Sequence, residues 1–111
     1  MDDAAINLDG RVTRILLSYD VSGPLRPKAA RVCQIVFGYE QTVQRKGASR
    51  TYRHPGYLER PGARWVGQSV LLLRPEDARE LERDLGRLGV RARSARIRIR
   101  PSEAATFLRA P

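Results

Sequence analysis

Two short apolar stretches constrain the fold of this 111-residue chain more than any other feature. The first lies within Arg11 to Val21 and carries Ile15, Leu16, Leu17 and Tyr19. The second lies within Val66 to Arg74 and carries Val70, Leu71, Leu72 and Leu73. Runs this short and this aliphatic read as buried strands. After the first, Ser22-Gly23-Pro24 breaks the chain, and Pro24 and Pro27 suit a first helical turn, where a missing N–H is harmless. Leu25, Ala29, Val32, Cys33 and Val36 then recur at helical spacing, and Gly38 is a stop, so a helix is expected over 25–37. Pro75 opens a second helix, with Glu76 and Asp77 placed where the helix dipole favours anions. Ala78, Leu81, Leu85 and Leu88 form its apolar stripe, and Gly89 ends it.

Two polar segments complete the pattern. Glu40 to Lys46 alternates weakly, which suits an edge strand. Val90 to Arg100 is the last strand, with Arg91 and Arg93 on one face and Arg96, Arg98 and Arg100 on the other. That change of phase predicts a bulge or break at Ser94-Ala95. The element order is β-α-β-β-α-β. Right-handed crossovers then favour an α+β, ferredoxin-like βαββαβ sandwich: a four-stranded antiparallel sheet with two helices on one face. The two apolar strands take the central positions and the polar ones the edges, so pattern and topology agree. Residues 11–100 form a single domain. Residues 1–10 are an acidic N-terminal segment. Residues 101–111 are a tail or a short helix capped by Ser102. This length excludes TIM barrels, kinases and two-domain dehydrogenases.

Charge narrows the partner. There are 21 basic and 12 acidic residues, a net charge of +9, which calls for an anionic partner. Nineteen of the basic residues are Arg, against Lys28 and Lys46. A GC-rich genome explains that ratio, but not the net charge. The excess sits in three blocks: +4 over 11–39, +4 over 40–64 and +5 over 90–111, with −1 over 65–89. Asp2, Asp3 and Asp9 stand where a signal peptide would be basic and apolar, and no run approaches a membrane span, so a cytoplasmic protein is expected. The single Cys33 excludes an internal disulfide and a Cys-based zinc site, and its helical spacing places it in the core.

The densest cluster is Gln44 to Trp65. It holds Arg45, Lys46, Arg50, Arg53, His54, Arg60 and Arg64, interleaved with Tyr52, Tyr57 and Trp65. His54-Pro55-Gly56-Tyr57 and Arg60-Pro61-Gly62-Ala63 are type II turn candidates within it. Basic side chains contact phosphates and flat rings stack on exposed bases. A solvated hairpin whose aromatics pack back on the domain is the alternative. The row Arg96, Arg98, Arg100 repeats roughly every 6.5 Å along a strand, close to the phosphate spacing of one nucleic-acid strand. Protection of a sheet edge by charge also accounts for it. Arg79, Arg83 and Arg87 form a helical stripe that Glu76, Glu80 and Glu82 can pair with. His54, the single histidine, has no sequence-local partner for base chemistry. Asp20 ends the first central strand, as a turn residue or as a cation ligand shared across a dimer.

Leu17-Ser18-Tyr19-Asp20-Val21, the basic helix with Arg26, Lys28 and Arg31, then Gly38 and Val43-Gln44, resemble the CRISPR-associated Cas-two family over residues 14–44. After Gln44, Arg45-Lys46-Gly47-Ala48 replaces the Ser-Val-Phe-Glu-like strand of that family. The resemblance implies a ferredoxin-like dimer active in spacer acquisition or as a metal-dependent nuclease, with Asp20 as the catalytic Mg²⁺ ligand and basic residues on the DNA backbone.

The leading expectation from the residues is a small, dimeric, non-catalytic protein that binds DNA or RNA and needs no cofactor. Its contacts are Arg45, Lys46, Arg50, Tyr52, Arg53, Tyr57, Arg60, Arg64, Trp65, Arg96, Arg98 and Arg100. The alternatives are a Mg²⁺-dependent nuclease or Cas-two-like adaptation subunit using Asp20, and a protein–protein module with an acidic partner.

Overall fold

The computed structural model describes residues 8–21 and 26–111. Residues 1–7 of the acidic segment, the Ser22-Gly23-Pro24 break and Leu25 lie outside the described residues, as does the side chain of Arg26.

Strand β1 (Val12–Asp20) leads to helix α1 (Arg26–Phe37), which stops at Gly38, φ 83°. Strands β2 (Tyr39–Arg45) and β3 (Ala48–His54) follow, then a 3-10 turn at Tyr57–Glu59. Next come β4 (Arg64–Gly67), β5 (Val70–Leu73), α2 (Pro75–Arg87), β6 (Arg91–Ile99) and the short α3 (Pro101–Ala104). The result is an α+β fold with one four-stranded antiparallel sheet, ordered β4-β5-β1-β6, and a separate two-stranded sheet, β2-β3. Among the described residues no helix is long and apolar enough to cross a membrane.

β1 and β5 are central, as their apolar content requires. Leu17 and Tyr19 of β1 and Leu71 and Leu73 of β5 share one face. They join Val32 and Val36 of α1, and Ala78, Leu81 and Leu85 of α2, in one buried cluster. A side chain such as Leu17, fully removed from water, contributes about 1.5–3 kcal/mol. The core is built by both helices covering that face.

Several expectations are corrected. Val66 to Arg74 is not one strand: Gln68 and Ser69, with Ser69 at φ 64°, turn the chain between β4 and β5. The segment 40–46 is not an edge of the main sheet. β4 takes that edge, and β2 pairs instead with β3, a strand that sequence reading missed because it has no alternation of apolar and polar residues. There is no bulge at Ser94-Ala95; β6 pairs with β1 in unbroken register from Val12↔Ile99 to Asp20↔Arg91. Simple alternation then puts Arg91 and Arg93 on the open face of the sheet. Arg96 and Arg98 fall on the helix-covered face with Ser94, whose Oγ donates to Glu82 of α2 at 3.4 Å.

Arg60 to Ala63 forms the expected type II turn, with Gly62 at φ 76° and the Ala63 N–H donating to Arg60 O at 3.2 Å. His54 to Tyr57 does not, because Gly56 has φ −96°. Gly56 serves close approach instead: a Cβ there would overlap the Val36 carbonyl, Phe37 and Gly38 backbone at the end of α1. Cys33 is exposed, because α1 buries Val32 and Val36, one step round the helix. The terminal helix covers four residues, and its first N–H, from Arg100 rather than Ser102, donates to Glu103 at 2.9 Å.

Candidate nucleic-acid interface

The β2–β3 hairpin is joined by Lys46 and Gly47, at φ 48° and 80°. Two successive left-handed residues make the turn whose twist matches paired strands. The register runs without shift from Tyr39↔His54 to Arg45↔Ala48. Because side chains alternate, one face carries Tyr39, Gln41, Val43 and Arg45 beside Ala48, Arg50, Tyr52 and His54. The other carries Glu40, Thr42 and Gln44 beside Ser49, Thr51 and Arg53. Apart from Tyr39, Val43 and His54, which are part-buried, every residue of the two strands is exposed. From Gln41 to Tyr52 there are three cations, Arg45, Lys46 and Arg50, and no acid.

A two-stranded hairpin exposed on both faces is marginal by itself. Here cross-strand pairs hold it. The Thr42 and Thr51 hydroxyls lie 3.1 Å apart, and His54 Nε2 lies 3.0 Å from Gln41 Oε1. The Tyr39 and His54 rings stack at 4.5 Å with planes 14° apart. At the base, Arg53 donates to Phe37 O at 3.2 Å and to Glu59 at 2.7 Å. The Gly56 N–H also donates to Glu59, at 2.7 Å, and with Arg53 holds that carboxylate below its usual range. The hairpin thus stands on a fixed root at the end of α1.

Four of the expected contact residues lie in the body instead. Tyr57 is 4% exposed, and its hydroxyl sits 2.7 Å from Asp84 and 3.1 Å from Glu80. Burial and these two carboxylates raise its pKa far above the ordinary phenol value. Arg60 lies with its guanidinium 4.1 Å over the Tyr57 ring and donates to Glu80 at 2.9 and 3.1 Å and to Asp77 at 3.0 Å. Glu80 is thereby pulled down to about 2, first by the Arg60 hydrogen bonds. Trp65 packs against the core, and Arg64 reaches the Phe107 carbonyl at 3.4 Å. The loop 57–65 is therefore tied to α2 and the C-terminal segment by its own basic and aromatic residues. The acids of α2 pair mainly with this loop and with Arg74 rather than with the Arg79–Arg83 stripe; Arg87 reaches Asp84 at 3.5 Å.

Arg45, Lys46, Arg50, Tyr52 and Arg53 come together on the hairpin, whereas Arg96, Arg98 and Arg100 belong to β6 and its end, in the other sheet. Arg96 and Arg100 are exposed, and Arg98 donates to Asp9 at 2.8 Å. Sequence reading missed Gln41 and Val43 as partners of Arg45 and Arg50. Lys46-Gly47 between two polar runs was the available signal.

Asp20 is exposed at the end of β1, opposite Arg91. It lines a cleft of about 350 Å³ with Lys28 and Arg91, and a second one with Arg93. Among the described residues no group of three or more His, Cys, Asp or Glu side chains is placed to hold a metal ion. Among the described residues lining these two clefts, Asp20 is the one carboxylate side chain, beside three cations, a poor donor set for Mg²⁺.

Compared with protein-family models, curated proteins and solved structures, the chain matches none.

Proposed function

We propose that this protein binds nucleic acid through the β2–β3 hairpin, supported by the exposed arginines of β6, and catalyses no reaction on it. The observation that carries the reading is the arm itself: three cations and one exposed tyrosine, with no acid between Gln41 and Tyr52. Arg45, Lys46, Arg50 and Tyr52 are the primary contacts, and Arg96 and Arg100 add phosphate contacts. Tyr57, Arg60 and Trp65 drop out of the contact set, because their polar groups and faces are engaged within the body. The test is affinity for a random-sequence duplex as salt rises from about 50 to 200 mM, where each phosphate neutralised adds about −0.9 to the log–log slope. A flat salt dependence, or no binding at the low-salt end, overturns the proposal.

The body is proposed to be a ferredoxin-like βαββαβ sandwich with the hairpin inserted between α1 and β4. The support is that β1, α1, β4, β5, α2 and β6 follow one another in that order, with β5 and β1 central. A second reading, a dimeric Mg²⁺-dependent nuclease resembling the Cas-two family, rests on the exposed position of Asp20 at a strand end. It needs a second copy to supply another carboxylate. Wild type and Asp20→Ala compared for Mg²⁺-dependent cleavage test it; equal activity, or none in either, removes it.

A further inference from the structure

We infer that the β2–β3 hairpin lies flat in the major groove of duplex DNA, with Gln41, Val43, Arg45, Arg50 and Tyr52 turned toward the base edges. This rests on the nucleic-acid reading above and names its substrate.

The two faces of the arm are chemically unequal. One presents the side chains that read base edges. Gln pairs with adenine and Arg with guanine, each through two hydrogen bonds, and an aliphatic group packs on the thymine methyl. Arg45, Arg50 and Val43 supply these on a single face, and Gln41 joins them when its Oε1, 3.0 Å from His54 Nε2 in the free arm, turns to the base. The opposite face carries Glu40 and Arg53 at its root, the latter held by Glu59, and further out Gln44 with three short hydroxyls, two of which, Thr42 and Thr51, lie within hydrogen-bonding distance of each other, so it presents no free arginine.

Dimensions agree. Paired strands lie about 4.8 Å apart, and a two-stranded ribbon fits the major groove, roughly 12 Å wide. Alternate residues of an antiparallel strand are about 6.8 Å apart, which is two base-pair steps of about 3.4 Å. Gln41, Val43 and Arg45 therefore keep step with every second base pair. Lys46, at the tip, is left to meet a phosphate.

The other nucleic-acid forms fit less well. The minor groove is about 6 Å wide, too narrow for a ribbon, and the A-form major groove of duplex RNA is too deep and narrow for side chains to read. Single strands are held by successive exposed rings on which bases stack. On this arm Tyr52, 47% exposed, offers such a ring. Tyr39 and His54 are stacked on each other, Tyr57 is in the core, and Trp65 is packed against it.

The experiment measures affinity of the wild-type protein, at low salt, for four probes. These are a mixed-sequence duplex, its single strand, the same duplex with glucosylated 5-hydroxymethylcytosine filling the major groove, and a duplex whose A·T minor groove is saturated with netropsin. Losing one paired base contact is a change of about 5- to 150-fold, so glucosylation is expected to weaken binding at least tenfold. Netropsin should change it less than twofold, and the single strand should bind at least tenfold more weakly. Arg50→Ala, at an exposed position that does not touch the core, should reduce the glucosylation effect. Equal affinity for plain and glucosylated duplex, with salt dependence intact, overturns groove insertion and leaves the charge-based reading standing. Competition by netropsin, or preference for the single strand, also overturns it. No binding to any probe removes both.

Discussion

Asp77→Ala is the sharpest test of how the structure divides the basic residues between body and arm. Asp77 is 4% exposed. Its two oxygens accept hydrogen bonds from Arg60 and from Arg74 Nε, each at 3.0 Å. Removing one partner of a buried pair costs about 3–5 kcal/mol when the charge left behind is itself buried. Here the guanidinium groups keep 35% and 20% of their side-chain exposure, and Arg60 retains Glu80, so water and a second carboxylate offset part of the loss. The expected destabilisation is therefore about 2–3 kcal/mol, or roughly 8–12 °C in melting temperature for a domain of this size. Urea and thermal unfolding followed by circular dichroism at neutral pH measure it. A cycle with Arg60→Met should show coupling of at least about 0.5 kcal/mol, since the two side chains are in contact. Affinity of the folded variant for DNA should stay within about twofold of wild type, as an engaged body residue contributes no phosphate contact. A loss of stability below about 1 kcal/mol, strictly additive variants, or a large drop in affinity would refute the assignment of Arg60 to the body.

Other consequences are smaller or more local. Glu80 titrates near 2 in the fold against about 4.5 when free, so its pairing stabilises the protein above the free value and is lost as pH falls from about 4.5 toward 2. Because its side chain is 45% exposed, solvent screening limits this to about 1 kcal/mol, and Glu80→Gln should flatten the acid limb of the stability curve by that amount. Gly56→Ala forces a Cβ into the backbone at the end of α1 and should cost about 1–3 kcal/mol, whereas Gly67→Ala, with open space around it, is a matched control near neutrality. Lys46→Ala should reduce the salt slope of DNA binding by about 0.9 while leaving the melting temperature unchanged, and an unaltered slope would remove the tip from the phosphate contacts.

Local rules made some elements readable. The limits of α1 and α2 follow from prolines, apolar spacing and the glycines at 38 and 89, because each signal acts within one or two helical turns. The central place of β1 and β5 follows from their aliphatic content, since a strand covered by helices must be apolar on that face. β3 was illegible, because Ala48 to His54 has no alternation of apolar and polar residues and owes its pairing to a turn and to cross-strand contacts. The candidate site was half legible. Arg45, Lys46, Arg50 and Tyr52 remain on the arm, while Tyr57 and Arg60 are drawn off by partners 27 and 17 residues away.

By itself the sequence determined that the chain is strongly basic, that it has two apolar strands and two amphipathic helices, and that its charge is concentrated around residues 45–64 and 91–100. Periodicity and charge density are local quantities, so they need no tertiary information. Only the fold decided which strand closes the sheet edge, which of the clustered arginines are engaged by acids of α2, and which ring stays outward. Those outcomes depend on contacts between distant residues, and each is settled by burial: Arg60 and Tyr57 meet the acids of α2 in part-buried ground, while Arg45, Lys46 and Arg50 stand on the outer part of the arm, where Gln41 to Tyr52 includes no acid.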